Sequence, residues 1–290
     1  MLRNFAGWLV AAALAMPLAA HADGAGIHGI QVAANMPSAP HLNSHSVLVL
    51  NGANGEPLYQ KNTDLPLPIA SITKLMTAMV TLDAGLSMDE PITITENEID
   101  RLKNTSSRLA VGTTLPRREM LLLALMSSEN RAAAALARTY PGGTQAFVAQ
   151  MNRKARAIGM HNSIFYDPTG LEVRNTATAM DLARMVKAAT GYPLIRTFTT
   201  TQEHEVVSGT RRMLHYKNSN ALVREGDWDI SLQKTGYIQE AGRCMVMQTV
   251  VGSQPLIIVL LAAGAPSARV SDARAIRNWL ERHPGTWLAG

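Results

Sequence analysis

The hydrophobic period of this chain changes twice, and those changes restrict its fold more than composition does. Residues 46–50 read as a strand, and Asn51-Gly52 with Asn54-Gly55 as the turn into Leu58-Tyr59. From Pro68 onward the period becomes helical, with a first helix around Ser71 and others over 120–126, 130–137, 144–158 and 179–189. A short strand is expected over 91–95. After Thr197 the period returns to two. Residues 203–207 and 211–216 flank Ser208-Gly209-Thr210 as a hairpin, and 230–235, 244–251 and 256–263 read as strands. Residues 267–282 close as a helix. Strands at both chain ends with helices between them predict an α+β fold: one antiparallel sheet built from the two ends, with an inserted helical lobe.

The first 22 residues do not belong to that pattern. Arg3 precedes an apolar run over 5–20 that ends in Ala20-His21-Ala22, the layout of a secretory signal peptide with small residues at the cut. Export to the periplasm is the expected consequence. No cysteine lies near the cut, so a lipid-anchored form is not expected, and no later apolar run reaches spanning length. Residues 23–45 are rich in Gly, Ala, Pro, Ser and Asn and read as an irregular or partly ordered lead-in to a domain over 46–290. Within it Gly24, Gly26 and Gly29 match the dinucleotide pattern G-x-G-x-x-G, but no strand precedes them, so no nucleotide is expected. The net charge of +5 is dispersed rather than clustered, which argues against nucleic acid. Cys244 is the single cysteine, so no intrachain disulfide forms, and its apolar surroundings predict a buried hydrophobe.

Ser71 and Lys74 stand three apart where an amphipathic helix begins, which puts hydroxyl and amine on one face. Lys74 is the only charged residue between Asp64 and Asp83. A lysine in so apolar a stretch is desolvated, and its lowered pKa makes it a candidate base. S-x-x-K is weak alone and recurs at Ser231–Lys234, but that copy lies in a strand pattern, where i and i+3 point to opposite faces. Two further tripeptides add weight. Ser128-Glu129-Asn130 falls between two helices, and Lys234-Thr235-Gly236 ends a strand; K-T-G arises by chance about once in several thousand residues. No H-E-x-x-H exists among the eight histidines and no G-x-S-x-G is present, so neither a zinc peptidase nor an α/β-hydrolase is expected. No metal or other cofactor is called for.

The ordered set S-x-x-K, S-x-N, K-T-G is the signature of penicillin-binding proteins and serine β-lactamases. Residues 68–79, 127–134 and 234–244 resemble the D-alanyl-D-alanine carboxypeptidase family, and within it the small endopeptidase branch. Asp167-Pro-Thr-Gly-Leu171, residues 175–179 and Asn218-Ser-Asn220 fit the same family, so the resemblance covers roughly residues 46–282. Glu129 inside S-x-N and Ile238 after K-T-G depart from the broader carboxypeptidase pattern toward the endopeptidase branch. The resemblance implies the serine β-lactamase / DD-peptidase (transpeptidase-like) fold. Unlike many relatives, the sequence is expected to have no extra β-domain or amphipathic tail after its last helix.

It also implies roles. Ser71 is the nucleophile that forms an acyl-enzyme, Lys74 its base with help from a cation such as Lys234, and Ser128 a proton relay to the leaving amine. Asn130 holds Lys74 and a substrate amide, while Lys234 and Thr235 bind the leaving residue's carboxylate. Gly236 permits close approach, and the backbone N–H groups of Ser71 and Tyr237 form the oxyanion hole. The implied substrates are peptidoglycan stem peptides and their cross-links, with β-lactam antibiotics as covalent inhibitors. Three alternatives stay open: a D-alanyl-D-alanine carboxypeptidase, a serine β-lactamase of the same fold, and a non-catalytic wall binder. The β-lactamase is disfavoured because Glu172-Val-Arg-Asn175 lacks the E-x-x-L-N spacing of a deacylating loop.

Overall fold

Alternation along the strands decides what each face of the sheet packs against. The computed structural model describes residues 30–32, 39–209 and 211–284; the expected signal peptide and the glycine run at 24–29 lie outside them. The chain opens with β1 (Gln31–Val32), β2 (Ser46–Asn51), β3 (Pro57–Lys61) and β4 (Leu67–Pro68). A 3-10 turn over Ala70–Ile72 runs into α1 (Thr73–Asp83). The inserted lobe continues through β5 (Pro91–Thr93), β6 (Thr114–Pro116), α2 (Arg117–Met126), α3 (Asn130–Arg138) and α4 (Gly143–Ala157). It ends with β7 (Thr176–Ala177), α5 (Ala179–Thr190) and α6 (Pro193–Thr200). A separate hairpin, β8 (Glu203–Val207) and β9 (Met213–Lys217), precedes α7 (Ala221–Glu225). Then come β10 (Asp229–Ile238), β11 (Gly242–Val251), β12 (Gln254–Ala263) and α8 (Ala268–Glu281).

The main sheet has the order β1-β3-β2-β12-β11-β10, antiparallel throughout. Its centre joins β2 to β12, an early strand to the last one, as the period had predicted. Val47 and Val49 of β2 with Leu256, Ile258 and Leu260 of β12 pack under α8, against Ile276, Trp279 and Leu280. The alternate residues Leu48, Ile257, Val259 and Leu261 face the helical lobe. Because both faces are covered, the strands read as near-continuous apolar runs. α1 lies at the middle of that lobe with Thr73 to Thr81 buried all round, which is how a helix without a polar face is accommodated. Cys244 is buried as expected, and burial pushes its thiol up to about 11.

Several elements were not legible in the sequence. The short helices α6 and α7 offer too few turns for a period; Pro193 at the first position of α6 is its one local signal. The hairpin of β8 and β9 was expected but stands outside the main sheet. The described part of the lead-in, residues 30–32 and 39–45, is tied to the domain at two places. Gln31 and Val32 pair with Gln60 and Tyr59, and buried Asp272 of α8 accepts from Asn43 N, Asn43 Nδ2, Ser44 N and Ser44 Oγ at 2.6–3.0 Å. No helix among the described residues is long and apolar enough to cross a membrane.

Candidate active site

Ser71 sits in the 3-10 turn rather than in the helix proper, one residue after Ala70, whose φ is +47°. Residues i and i+3 nearly eclipse in such a turn. Ser71 Oγ accordingly lies 2.8 Å from Lys74 Nζ. The same amine is 2.7 Å from Asn130 Oδ1 and 2.6 Å from the Thr169 carbonyl oxygen. The two latter atoms accept only. A neutral amine has two N–H groups for them, which leaves its lone pair facing the Ser71 hydroxyl proton.

The Thr169 carbonyl reaches that point because the loop over 166–175 is pulled tight against the Ser71 turn. Asp167 accepts from Thr169 N at 3.0 Å, Gly170 N at 2.9 Å and Asn175 Nδ2 at 2.8 Å. At Gly170, with φ at +84°, a Cβ would stand 1.9 Å from the Ala70 carbonyl oxygen. Only glycine fits there.

Ser128 takes a left-handed backbone (φ +63°) in the turn from α2 to α3, so that Ser128 and Asn130 both line the cleft. Glu129 between them is buried; its carboxylate accepts from Arg131 N at 3.3 Å and from Ser107 Oγ at 2.6 Å. Across the cleft runs β10, the free edge of the sheet. Gly236 of that strand lies so close to the Ser71 turn that a Cβ there would be 3.0 Å from Ser71 N. Thr235 Oγ1 is 2.7 Å from Ser219 Oγ, and Tyr237 is exposed on the rim. Lys103 of the helical lobe pairs with Glu240 past the end of β10, linking the two lobes at the mouth. The eight residues expected from sequence are therefore brought to one cleft: Ser71, Ser128, Asn130, Thr235, Gly236 and Tyr237 line it. Lys74 lies beneath, bonded to Ser71 and Asn130, and Lys234 lies close enough for Lys74 to act on its charge. Ser231 is not part of it: it occupies a bulge in β10 and its hydroxyl donates to the Gln248 carbonyl at 3.4 Å.

Two fully buried lysines share this floor, and both lie below their ordinary value. Burial brings Lys74 down to about 7, against the opposing pull of Asp167 and Glu129. Burial, then Lys74, then Arg269 hold Lys234 well below the usual lysine range. Desolvation, which the apolar stretch around Lys74 led one to expect, is thus what lowers it, and Lys234 is not among the causes. Glu172 is tied to Arg174 at 2.8 Å, and that bond holds its carboxyl down at about 2. A carboxylate so engaged is a poor base for deacylation, which matches its unfavourable spacing.

Arg269 escaped the sequence reading. It lines the cleft from the first turn of α8, with Nη1 3.0 Å from the Gly236 carbonyl oxygen. Its only signal was a basic residue at a helix start far along the chain. Asp167 and Thr169 were noted as a family segment, yet the bond from Lys74 to the Thr169 carbonyl spans 95 residues and has no local signature.

The D-alanyl-D-alanine carboxypeptidase (peptidase S11) family matches residues 33–265. This chain belongs to that family. A D-alanyl-D-alanine endopeptidase of Pseudomonas aeruginosa is 47% identical over 249 residues, covering 86% of this chain and 80% of the relative. One of Escherichia coli K12 is 43% identical over 250 residues, covering 86% and 81%. Among solved structures, the Streptomyces K15 DD-transpeptidase superposes with a TM-score of 0.77 at 29% identity, covering 84% of this chain and 98% of that one. The family member described here is a serine DD-peptidase with the serine β-lactamase / DD-peptidase fold.

Proposed function

We propose that the protein is a DD-endopeptidase that hydrolyses D-alanyl bonds joining cross-linked peptidoglycan stems. The observation that carries the chemistry is Lys74 Nζ held between Asn130 Oδ1, the Thr169 carbonyl and Ser71 Oγ at 2.6–2.8 Å. In this reading Ser71 Oγ attacks the scissile carbonyl carbon as Lys74 takes its proton. Oxygen charge develops toward the N–H groups of Ser71 and Tyr237, at the turn and strand edge that Gly236 lets approach. Ser128 passes a proton to the departing amine, the C–N bond breaks, and water later cleaves the Ser71 ester by the same groups in reverse. Asn130 bonds a substrate amide while holding Lys74. Lys234 and Thr235 take the carboxylate of the leaving residue, joined by Arg269. Arrival of that carboxylate favours the charged form of Lys234, and the Lys234 ammonium in turn keeps Lys74 neutral.

The endopeptidase assignment rests on the names of the Pseudomonas and Escherichia relatives and on Glu129 and Ile238 in place of the common carboxypeptidase residues. Residues 1–22 would direct export to the periplasm, where stem peptides and β-lactams, which acylate the same serine, are both met. Purified protein incubated with cross-linked muropeptide dimers should yield monomers, and Ser71→Ala should not. Release of D-alanine from monomeric pentapeptide with dimers left intact would reverse the assignment to carboxypeptidase.

A further inference from the structure

The cleft does not end at Arg269. The cavity around Ser71, about 230 Å³, shares Asn130 and Leu171 with a groove of about 550 Å³ on one side. On the other it shares Ser219 and Arg269 with a second groove of about 370 Å³. A third groove, of about 340 Å³, shares Ser128 and Asn130 with the cavity around Ser71, so the reacting bond would lie where several open grooves meet. Thr235 and Arg269, which meet the leaving residue's carboxylate, set the direction: the second groove is on the leaving side. Free D-alanine stops at that carboxylate and has no use for space beyond it. The leaving stem of a cross-link continues.

The second groove is built for an anionic, hydrogen-bonding chain. Asn220, Arg224 and Ser267 line it along with Ser219 and Arg269. Arg224 is exposed in α7, and its Nη1 donates to the Asn218 carbonyl at 2.5 Å, which fixes the guanidinium. Asn218 is itself held by the carbonyls of Thr199 and Thr201 at 3.0 and 2.8 Å. The neighbouring acid does not neutralise Arg224, since Glu225 is engaged by Arg274 at 2.6 Å. Asn220 is 1% exposed, yet its Nδ2 has no acceptor among the described residues.

We propose that this groove binds the leaving stem of a cross-link, with the Arg224 guanidinium pairing with a carboxylate of that stem beyond the scissile residue. The proposal rests on the endopeptidase reading above and deepens it: discrimination between a cross-link and a terminal D-alanine lies here, outside the groups that acylate.

Three variants of the full-length protein test it. Arg224→Gln keeps a donor for the Asn218 carbonyl and removes the charge, Arg224→Glu reverses it, and Ser267→Trp fills the groove from α8. Each is assayed for cleavage of cross-linked dimers, release of D-alanine from pentapeptide, and acylation by benzylpenicillin. Dimer kcat/KM should fall about tenfold in Arg224→Gln, carried by KM, and further in the other two. The other two reactions should stay within about twofold, which also shows that the variants fold. Undiminished dimer cleavage in Arg224→Glu and Ser267→Trp overturns the proposal, as does an equal fall in all three reactions. A wild-type protein that acylates but leaves dimers intact would overturn the endopeptidase reading first and this proposal with it.

Discussion

Lys74 is where residue chemistry meets pH. Its ammonium cannot accept the Ser71 proton, so acylation by a β-lactam should rise with pH through an apparent pKa of about 7 and level off above it. Stopped-flow rates at saturating and subsaturating benzylpenicillin check this; a pH-independent rate would contradict it. The linkage has the matching sign. A lysine held below its unfolded value of about 10.4 weakens the folded state at and below neutral pH, and that cost is relieved as pH rises above about 7. Lys74→Arg should fold and acylate at least about a hundredfold more slowly, since guanidinium keeps its proton. Gly170 supports the same amine from outside. Gly170→Ala must move the loop away from Ala70 or strain it, removing the Thr169 carbonyl from Lys74. Thermal unfolding should show a loss above about 2 kcal/mol, with slower acylation in the remaining folded protein. Ser71 and Lys74 could be read from sequence because three residues of turn bring them together. Thr169, Asp167 and Arg269 could not, because their contacts arise only when distant segments pack.

At the scale of elements, the long helices were legible by their period, and the strands as short alternating or continuous apolar runs bounded by turn residues. α6 and α7 were hidden by their length. The anchoring of Asn43 and Ser44 was hidden for a different reason: a Gly- and Pro-rich segment has no period, and these residues are held by Asp272 of α8, some 229 residues from Asn43. That clamp carries a prediction. Asp272→Ala removes the acceptor of four hydrogen bonds and leaves Ser44, wholly buried, without its partner. Loss of about 2–4 kcal/mol is expected by denaturant titration. Acylation of the folded fraction should be unchanged, because α8 meets the cleft through Arg269 and not through Asp272. A stable variant with impaired acylation would contradict this division of labour.

The whole molecule is a sheet and a helical lobe with one working seam between them. The sheet supplies Lys234, Thr235 and Gly236 on its free edge; the helical lobe supplies Ser71, Lys74, Ser128 and Asn130 from the starts of two helices. Every group that forms the acyl-enzyme comes from this seam, and Arg269 of α8 reaches it beside Gly236. The central claim is thus that Ser71, and no other serine, forms the covalent intermediate. Intact mass spectrometry of the protein after benzylpenicillin, followed by peptide mapping, measures it directly. One adduct per chain on the peptide that holds Ser71, absent from Ser71→Ala, is the result predicted. An adduct that persists in Ser71→Ala, or that maps to the peptide of Ser231, would contradict the account.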